Sequence, residues 1–298
     1  MNMNRRHFFA LSATAGAAAT LPHTAFGAVQ LPQPAREARL RLSCQEGVAP
    51  GGSLAEKLDF LEQHGFEGIE PGGGGLGKRV EEFQKALQGR KIKVSAICAG
   101  FEGVPISENE ETRRKAVASI KEILTAAGAL GSTGMIIVPA FNGQTKLGHW
   151  EARETLLKIL PELGEHAVKN NTRVLLEPLN RGEAHFLRQV ADGAAICRDV
   201  NHPGIAVMGD FWHMTWEEPC DMAAFIAAAK YLHHVHIASR KSRQMPGEDA
   251  GDNYEAGLKG LKLIGYQDFV SLECGSKGDR KTTIPAAAKL IREQWQKA

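Results

Sequence analysis

Five cysteines occur in 298 residues, Cys44, Cys98, Cys197, Cys220 and Cys274, and none stands in a C-x-x-C pair. An odd number without paired spacing gives no disulfide framework. Aromatic residues are scarce at 6%, with three tyrosines. No apolar run approaches the ~20 residues a membrane span needs. The turn after the first β-rich run reads Gln45-Glu46-Gly47-Val48, so the glycine fingerprint of a dinucleotide fold is missing. Gly72-Gly73-Gly74-Gly75 has no lysine or serine at phosphate-loop spacing and reads as a flexible loop. There is also no excess of positive charge. Lys and Arg number 36 against 34 Asp and Glu, and residues 1–27 hold two of those arginines and no acid. The remainder is formally neutral, which argues against a nucleic-acid partner.

Residues 1–27 stand apart. Asn4-Arg5-Arg6-His7-Phe8-Phe9 is a twin-arginine pattern, followed by a mild Ala-rich apolar stretch over 10–21 and small residues at Ala25-Phe26-Gly27-Ala28. This composition predicts an export signal cleaved near Gly27 or Ala28, a periplasmic protein, and no stable membrane insertion after cleavage. An N-terminal anchor or a disordered tail is the alternative. Residues 28–38, with Pro32 and Pro34, read as an extended leader.

From residue 39 to the end one pattern repeats: a short β-rich run, a turn, an amphipathic helical run. Strands are expected at 39–45, 66–70, 93–99, 134–140, 172–177, 204–210, 232–238 and 268–273. Helices are expected from Ser53 to Gly65 and over 76–88, 108–130, 150–170, 186–200, 220–230, from Asp252 or Asn253 to Gly265, and over 284–296. Strands this continuously apolar are buried on both faces in a parallel sheet. Eight strand–helix units in one domain, 39–298, predict an α/β fold, a single (β/α)8 TIM barrel.

The residues that end these strands carry the chemistry. Glu177, Asp210, His236 and Glu273 each close an apolar run, on the fifth to eighth strands in succession. In such a barrel, strand-end residues point into the C-terminal mouth, where active sites lie. A lone glutamate there is more often a cap. Three carboxylates crowded together raise each other's pKa unless a cation neutralises them. The set therefore reads as a site for one divalent metal ion. Oxygen-rich ligation with one imidazole suits Mn2+ first, with Mg2+, Co2+ or Zn2+ also accommodated. Glu70 ends the second strand and points to the same mouth, as a substrate contact. Trp150, Trp212 and Trp216 fall in expected loops over the mouth; each is a candidate either to stack on a substrate's ring or to pack its own loop, and Trp150 is taken as a substrate contact. His234, two residues before His236, reads as packing or a supporting hydrogen bond. Residues 246–251 read as a mobile loop, and Cys98 and Cys274 as packing.

Leu176-Glu177-Pro178-Leu179-Asn180-Arg181, Gly209-Asp210-Phe211-Trp212-His213, Val235-His236-Ile237 and Ser271-Leu272-Glu273 resemble the signature segments of the xylose-isomerase-like sugar isomerase/epimerase superfamily. The likeness runs in element order through the chain after the leader and is nearest to the ketose 3-epimerases and hydroxypyruvate isomerases. It implies that Glu177, Asp210, His236 and Glu273 hold one ion, and that Glu177 and Glu273 double as an acid/base pair on opposite faces of the sugar. It implies that Glu183 and His213 contact substrate hydroxyls. An arginine after the seventh-strand histidine joins them, and Arg240 and Arg243 both qualify.

The residues themselves agree. A divalent ion chelated by a ketone oxygen and a neighbouring hydroxyl stabilises the enediolate formed when the adjacent proton leaves. One carboxylate takes that proton and the other returns it. The expected activity is that of a metal-dependent sugar epimerase or isomerase on a small sugar or keto-sugar, in a homodimer or tetramer. Elimination from a 3-keto-glycoside begins with the same step and is the alternative. An apurinic-endonuclease-like nuclease is the remote one, since the ends of the second and third strands carry Glu70 and Cys98 where extra histidines would be needed. Asp210-x-x-His213 leaves three readings open for His213: a metal ligand, a substrate contact or a structural residue.

Overall fold

A computed structural model describes residues 36–298. The expected signal, and all but the last three residues of the expected leader, lie outside the described residues.

Nine strands alternate with helices: β1 (Arg41–Gln45), α1 (Leu54–Gln63), β2 (Gly68–Glu70), α2 (Val80–Leu87), β3 (Lys93–Val94), β4 (Ile97–Cys98), α3 (Glu110–Ala129), β5 (Met135–Ile137), α4 (His149–Lys169), β6 (Val174–Leu176), α5 (Val190–Val200), β7 (Ile205–Asp210), α6 (Phe211–Glu217), α7 (Asp221–Ala228), β8 (Leu232–Ile237), α8 (Glu255–Leu263), β9 (Phe269–Leu272) and α9 (Arg280–Lys297). All strand pairs are parallel. The order around the sheet is β3-β2-β1-β9-β8-β7-β6-β5-β4. Because β3 and β4 are two halves of one stretch, the ends of that order meet through Ser95-Ala96. The fold is the expected (β/α)8 barrel, with its third strand broken in two.

Capping chemistry sets the helix starts. The Ser53 hydroxyl accepts from the Glu56 amide at 3.2 Å, and the Asn109 carboxamide accepts from the Thr112 amide at 2.9 Å. Each strand then places alternate residues on opposite sides of the wall. Outward residues such as Val174, Leu176 and Val207 join the large core shared with the helices. Inward residues Ala96, Ile136, Leu175, Ala206 and Met208 form a separate small cluster inside the barrel. Burying one such Leu or Ile contributes about 1.5–3 kcal/mol.

Within the glycine run, expected from sequence to be a flexible loop, Gly73 is buried and packs its backbone against the neighbouring strand end. A Cβ on Gly73 would stand 2.0 Å from the Ala99 carbonyl, and one on Gly100 would stand 2.2 Å from the Gly74 nitrogen. Only glycines allow the two backbones to touch there. The Gly73 amide donates to the Cys98 carbonyl at 3.1 Å and the Cys98 amide to the Pro71 carbonyl at 2.9 Å, so the loop seals the seam beside the broken strand. The segment expected to be mobile, 246–251, is also pinned. Glu248 accepts from the amides of Lys277 and Gly278 at 2.9 Å, and Asp249 accepts from Ser239 at 2.7 Å, Ser242 at 2.8 Å and Lys277 at 2.9 Å. All five cysteines are free thiols. No helix among the described residues is long and apolar enough to cross a membrane.

Candidate metal centre

The sheet ladder runs up to the residues that matter. The Glu177 amide donates to the Ile137 carbonyl at 3.0 Å and the Glu273 amide to the Ile237 carbonyl at 3.3 Å. Glu177 follows Leu175 by two residues, so it shares the inward face; Asp210 follows Met208 and Glu273 follows Ser271 in the same way. Glu177, Asp210, His236 and Glu273 each bring one ligand-type atom into a cluster in which all such atoms lie within 4.8 Å of one another. His236 Nδ1 stands 3.2 Å from Glu273 Oε2 and 3.7 Å from Glu177 Oε1.

Two buried atoms in this cluster have no hydrogen-bond partner: Asp210 Oδ2 and His236 Nδ1. Both are left over by orderly use of their other ends. Asp210 Oδ1 caps α6 by accepting from the Trp212 amide at 2.9 Å. His236 Nε2 donates to Glu70 Oε1 at 2.9 Å. Leaving a buried polar atom unsatisfied costs about 1–3 kcal/mol, and an ion bound by both removes that penalty. The charge state agrees. Burial, with the Glu273 charge, pushes Asp210 up to about 7, and burial raises Glu177 too. Burial opposes ionisation of Glu273 as well, but His236 and Arg243 outweigh it and bring it down to about 2. Burial would lower His236, yet Glu70 and Glu273 outweigh it and hold the ring well above its ordinary value. The cluster thus retains protons where a cation would sit, and the residues fit a divalent ion.

Behind it lies a second layer. Glu70 was expected to touch substrate; instead it is buried and both its oxygens are taken. Oε1 accepts from His236 Nε2 at 2.9 Å and from Gln45 Nε2 at 2.9 Å, and Oε2 accepts from His234 Nε2 at 2.8 Å. Burial opposes its charge, but the two histidines hold its pKa well below the carboxylate range. Glu70 therefore orients His236 and fixes its tautomer, as carboxylates behind metal-ligating histidines do. His234 makes the supporting bond expected of it.

The two arginines separate cleanly. Arg243 Nη2 donates to Glu273 Oε2 at 2.7 Å and lies 3.6 Å from Asp210 Oδ2, while Nη1 lies 3.7 Å from Glu183 Oε1. Its guanidinium stacks 4.6 Å over the Trp212 ring. Arg240 turns away: it pairs with Asp221 and donates to the Phe211 carbonyl at 3.0 Å. It fastens α6 to α7 and is not a mouth residue. Arg243 has a left-handed backbone, φ 55°, and the Gly275 amide donates to its carbonyl at 2.9 Å. The pinned loop over 239–253 therefore aims it.

His213 is buried. Its Nδ1 accepts from the Asn180 amide at 3.1 Å, so its proton sits on Nε2, 3.5 Å from Asp210 Oδ2. Burial, aided by Arg243, lowers it to about 3, so the ring is neutral. It is absent from the four-residue cluster and borders it. Glu183 accepts from Asn180 Nδ2 at 3.1 Å and is partly exposed beside Arg243. Trp150 does not lie in a loop over the mouth. It sits in the first turn of α4, 69% exposed, and no hydrogen bond or ring contact ties it to the cluster. Trp212 and Trp216 also lie in a helix, α6.

Sequence reasoning missed Gln45 as a member of this site, although it ends a strand as the others do. Nothing in the sequence pattern marked Trp212 as the platform for Arg243. The ends of β2 and β4 carry Glu70 and Cys98, and the histidines a three-metal nuclease site would need there are absent.

A parallel barrel with a four-residue carboxylate–imidazole cluster, a candidate cation site, at the C-terminal ends of its strands defines the class. The family model for the xylose isomerase-like TIM barrel matches residues 58–294, and the chain belongs to that family. It is 29% identical over 255 residues to 3-dehydro-D-guloside 4-epimerase of Escherichia coli K12, covering 82% of this chain and 94% of that one. It is 36% identical over 98 residues to D-psicose 3-epimerase of Agrobacterium fabrum, a third of each chain. The crystal structure of apo 3-keto-D-glucoside 4-epimerase from E. coli superposes with a TM-score of 0.77 at 25% identity, covering 87% of this chain and all of that one. D-psicose 3-epimerase of Clostridium cellulolyticum H10, solved with D-tagatose, shares the fold with a TM-score of 0.77 at 18% identity.

One expectation is overturned. The periplasmic assignment rested on residues 4–28, which lie outside the described residues. The E. coli epimerase is matched along its whole length by 87% of this chain, and the likeness to sugar epimerases lies in the barrel. Export is withdrawn.

Proposed function

We propose that this protein is a divalent-metal-dependent epimerase of keto-sugars, acting at the carbon beside the ketone. The observation that carries the reading is the convergence of four ligand-type atoms at the barrel mouth, two of them buried and otherwise unsatisfied. Named epimerases among its relatives support the isomerase class. The relative matched over most of its length acts on a 3-dehydro-guloside, whereas the D-psicose 3-epimerase of Agrobacterium is matched over a third. A 3-keto-glycoside is therefore the foremost substrate class, ahead of a free ketose.

Glu177, Asp210, His236 and Glu273 would hold the ion, and three carboxylates with one imidazole favour Mn2+. When bound, the ion polarises the ketone and lowers the energy of the negative charge that develops on its oxygen. The chain's own groups do the rest. Glu177 and Glu273 rise from β6 and β9, with β7 and β8 between them, and so flank the cluster. One takes the proton from the carbon beside the ketone; the other delivers a proton to the opposite face of that carbon. No electrons leave the substrate, and product differs from substrate in configuration alone. Arg243 keeps Glu273 charged and, with the Nε2 proton of His213, presents donors to substrate oxygens. Glu183 is the acceptor for a hydroxyl.

Incubation in D2O with 3-keto-glycosides and free ketoses tests this. Solvent deuterium at the carbon beside the ketone, together with the new epimer, is expected. Aglycone release without an epimer would move the enzyme to elimination, and absence of any exchange would reject the proton-transfer reading.

A further inference from the structure

β1 ends in Gln45, paired in register with Glu70 across the sheet. Its amide nitrogen lies 2.9 Å from Glu70 Oε1 and 3.1 Å from Glu273 Oε1. A carboxamide nitrogen carries two hydrogens, and each here reaches a different carboxylate. One neutral group thus stands between two negative charges, the buried Glu70 and the partly buried Glu273, and donates to both. The two oxygens of Glu273 consequently face different surroundings. Oε1 has Gln45, with the Cys98 thiol 3.9 Å away. Oε2 has Arg243 at 2.7 Å and His236 Nδ1 at 3.2 Å. The contacts close a ring: His236 to Glu70, Glu70 to Gln45, Gln45 to Glu273, and Glu273 back to His236.

We infer that Gln45 is a positioning residue, which fixes the plane of the Glu273 carboxylate so that Oε2 alone faces the ion and the reacting carbon. The inference rests on the two-carboxylate reading above. Neutrality of the side chain matters. A lysine would add a second cation to Glu273 and weaken it as a base, while a glutamate would set three carboxylates against one another. Glu177 has no such backing: its side chain meets His236 from the front. Loss of Gln45 should therefore disable one side of the proton transfer and spare the other.

The test uses Gln45→Met, nearly isosteric and without donors, beside Glu273→Gln. Metal content, kcat, KM and solvent-deuterium exchange are measured starting from each epimer separately. Gln45→Met should retain one ion per chain and a KM within about threefold, with kcat down about 10–100-fold, as for other groups behind metal ligands. Exchange from the epimer whose proton faces Glu177 should continue near the wild-type rate, while exchange from the other falls together with epimerisation. Equal loss from both epimers, or a change confined to metal content or KM, would overturn the inference. If Glu273→Gln itself shows no asymmetry, the two-carboxylate reading fails, independently of Gln45. Gln45→Asn, which keeps both N–H groups on a shorter arm, should show the same asymmetry and decides the question by the same criteria if Gln45→Met does not fold.

Discussion

The inside of this barrel has two unlike halves. From the start of β4 to β7 the inward residues beneath Glu177 and Asp210 are Ala96, Ile136, Leu175, Ala206 and Met208, an apolar cluster. Along β8, β9, β1 and β2 they are His234, His236, Ser271, Ser43, Gln45 and Glu70. There Ser43 Oγ lies 2.7 Å from Ser95 Oγ, and His234 Nδ1 and Ser271 Oγ are buried without partners. Both halves contribute two of the four cluster residues, yet they hold them differently. Glu177 and Asp210 stand on apolar strands and are fixed by backbone, through the sheet ladder and the helix cap. His236 and Glu273 stand on the polar side and are fixed from behind by Glu70 and Gln45. The apolar half supplies stability, and the polar half supplies orientation.

Substitutions can break that division. Glu273→Gln keeps the shape and removes the proton acceptor, so turnover should fall about 10²–10⁴-fold with the melting temperature little changed; near-normal activity would reject its role. On the other side, Leu175→Ala should cost about 2–5 kcal/mol in denaturant unfolding while metal affinity stays within about threefold. A large affinity loss there would mean that the halves are not separate. Saturating the ion-free protein at about 100 Kd should add about 2.7 kcal/mol of stability. This gain should grow between about pH 6 and 8. The folded pKa of Asp210, about 7, lies above its unfolded value, so its stabilisation in the ion-free protein is full below the unfolded value and is lost as pH rises through 7. The ion displaces the protons of Asp210 and His236 and faces less competition at higher pH. Glu70→Gln should weaken metal affinity or activity about 10–100-fold, measured by titration. Smallest is Arg240→Ala, which unfastens α6 from α7: thermal stability drops, and kcat/KM stays within about threefold because the group that reaches Glu273 is Arg243.

The strand ends were legible because each is a polar residue closing an apolar run, and neither packing nor caps account for several in register. That signal shows where a side chain points, not what fills its valences. Glu70 was therefore given the inward direction correctly and the wrong partner, since the histidines that occupy it behind the mouth lie on a strand far along the chain. Gln45 sends the same signal but bears no charge to draw the eye. Helix α6 was hidden because Asp210 is at once the last residue of β7 and the cap of the helix, with no turn residues between. The choice between Arg240 and Arg243 depended on a left-handed backbone at Arg243, a conformation uncommon outside glycine and not announced by its neighbours. The break in the third strand divides its pairing, the first half with β2 and the second with β5, which the sequence pattern did not mark.

The loop that carries Arg243 is tied down by Glu248 and Asp249 before any sugar arrives. Its conformational entropy is lost once, at folding, rather than at each encounter with substrate. In the proposed reaction such a loop adds no closing step ahead of proton transfer.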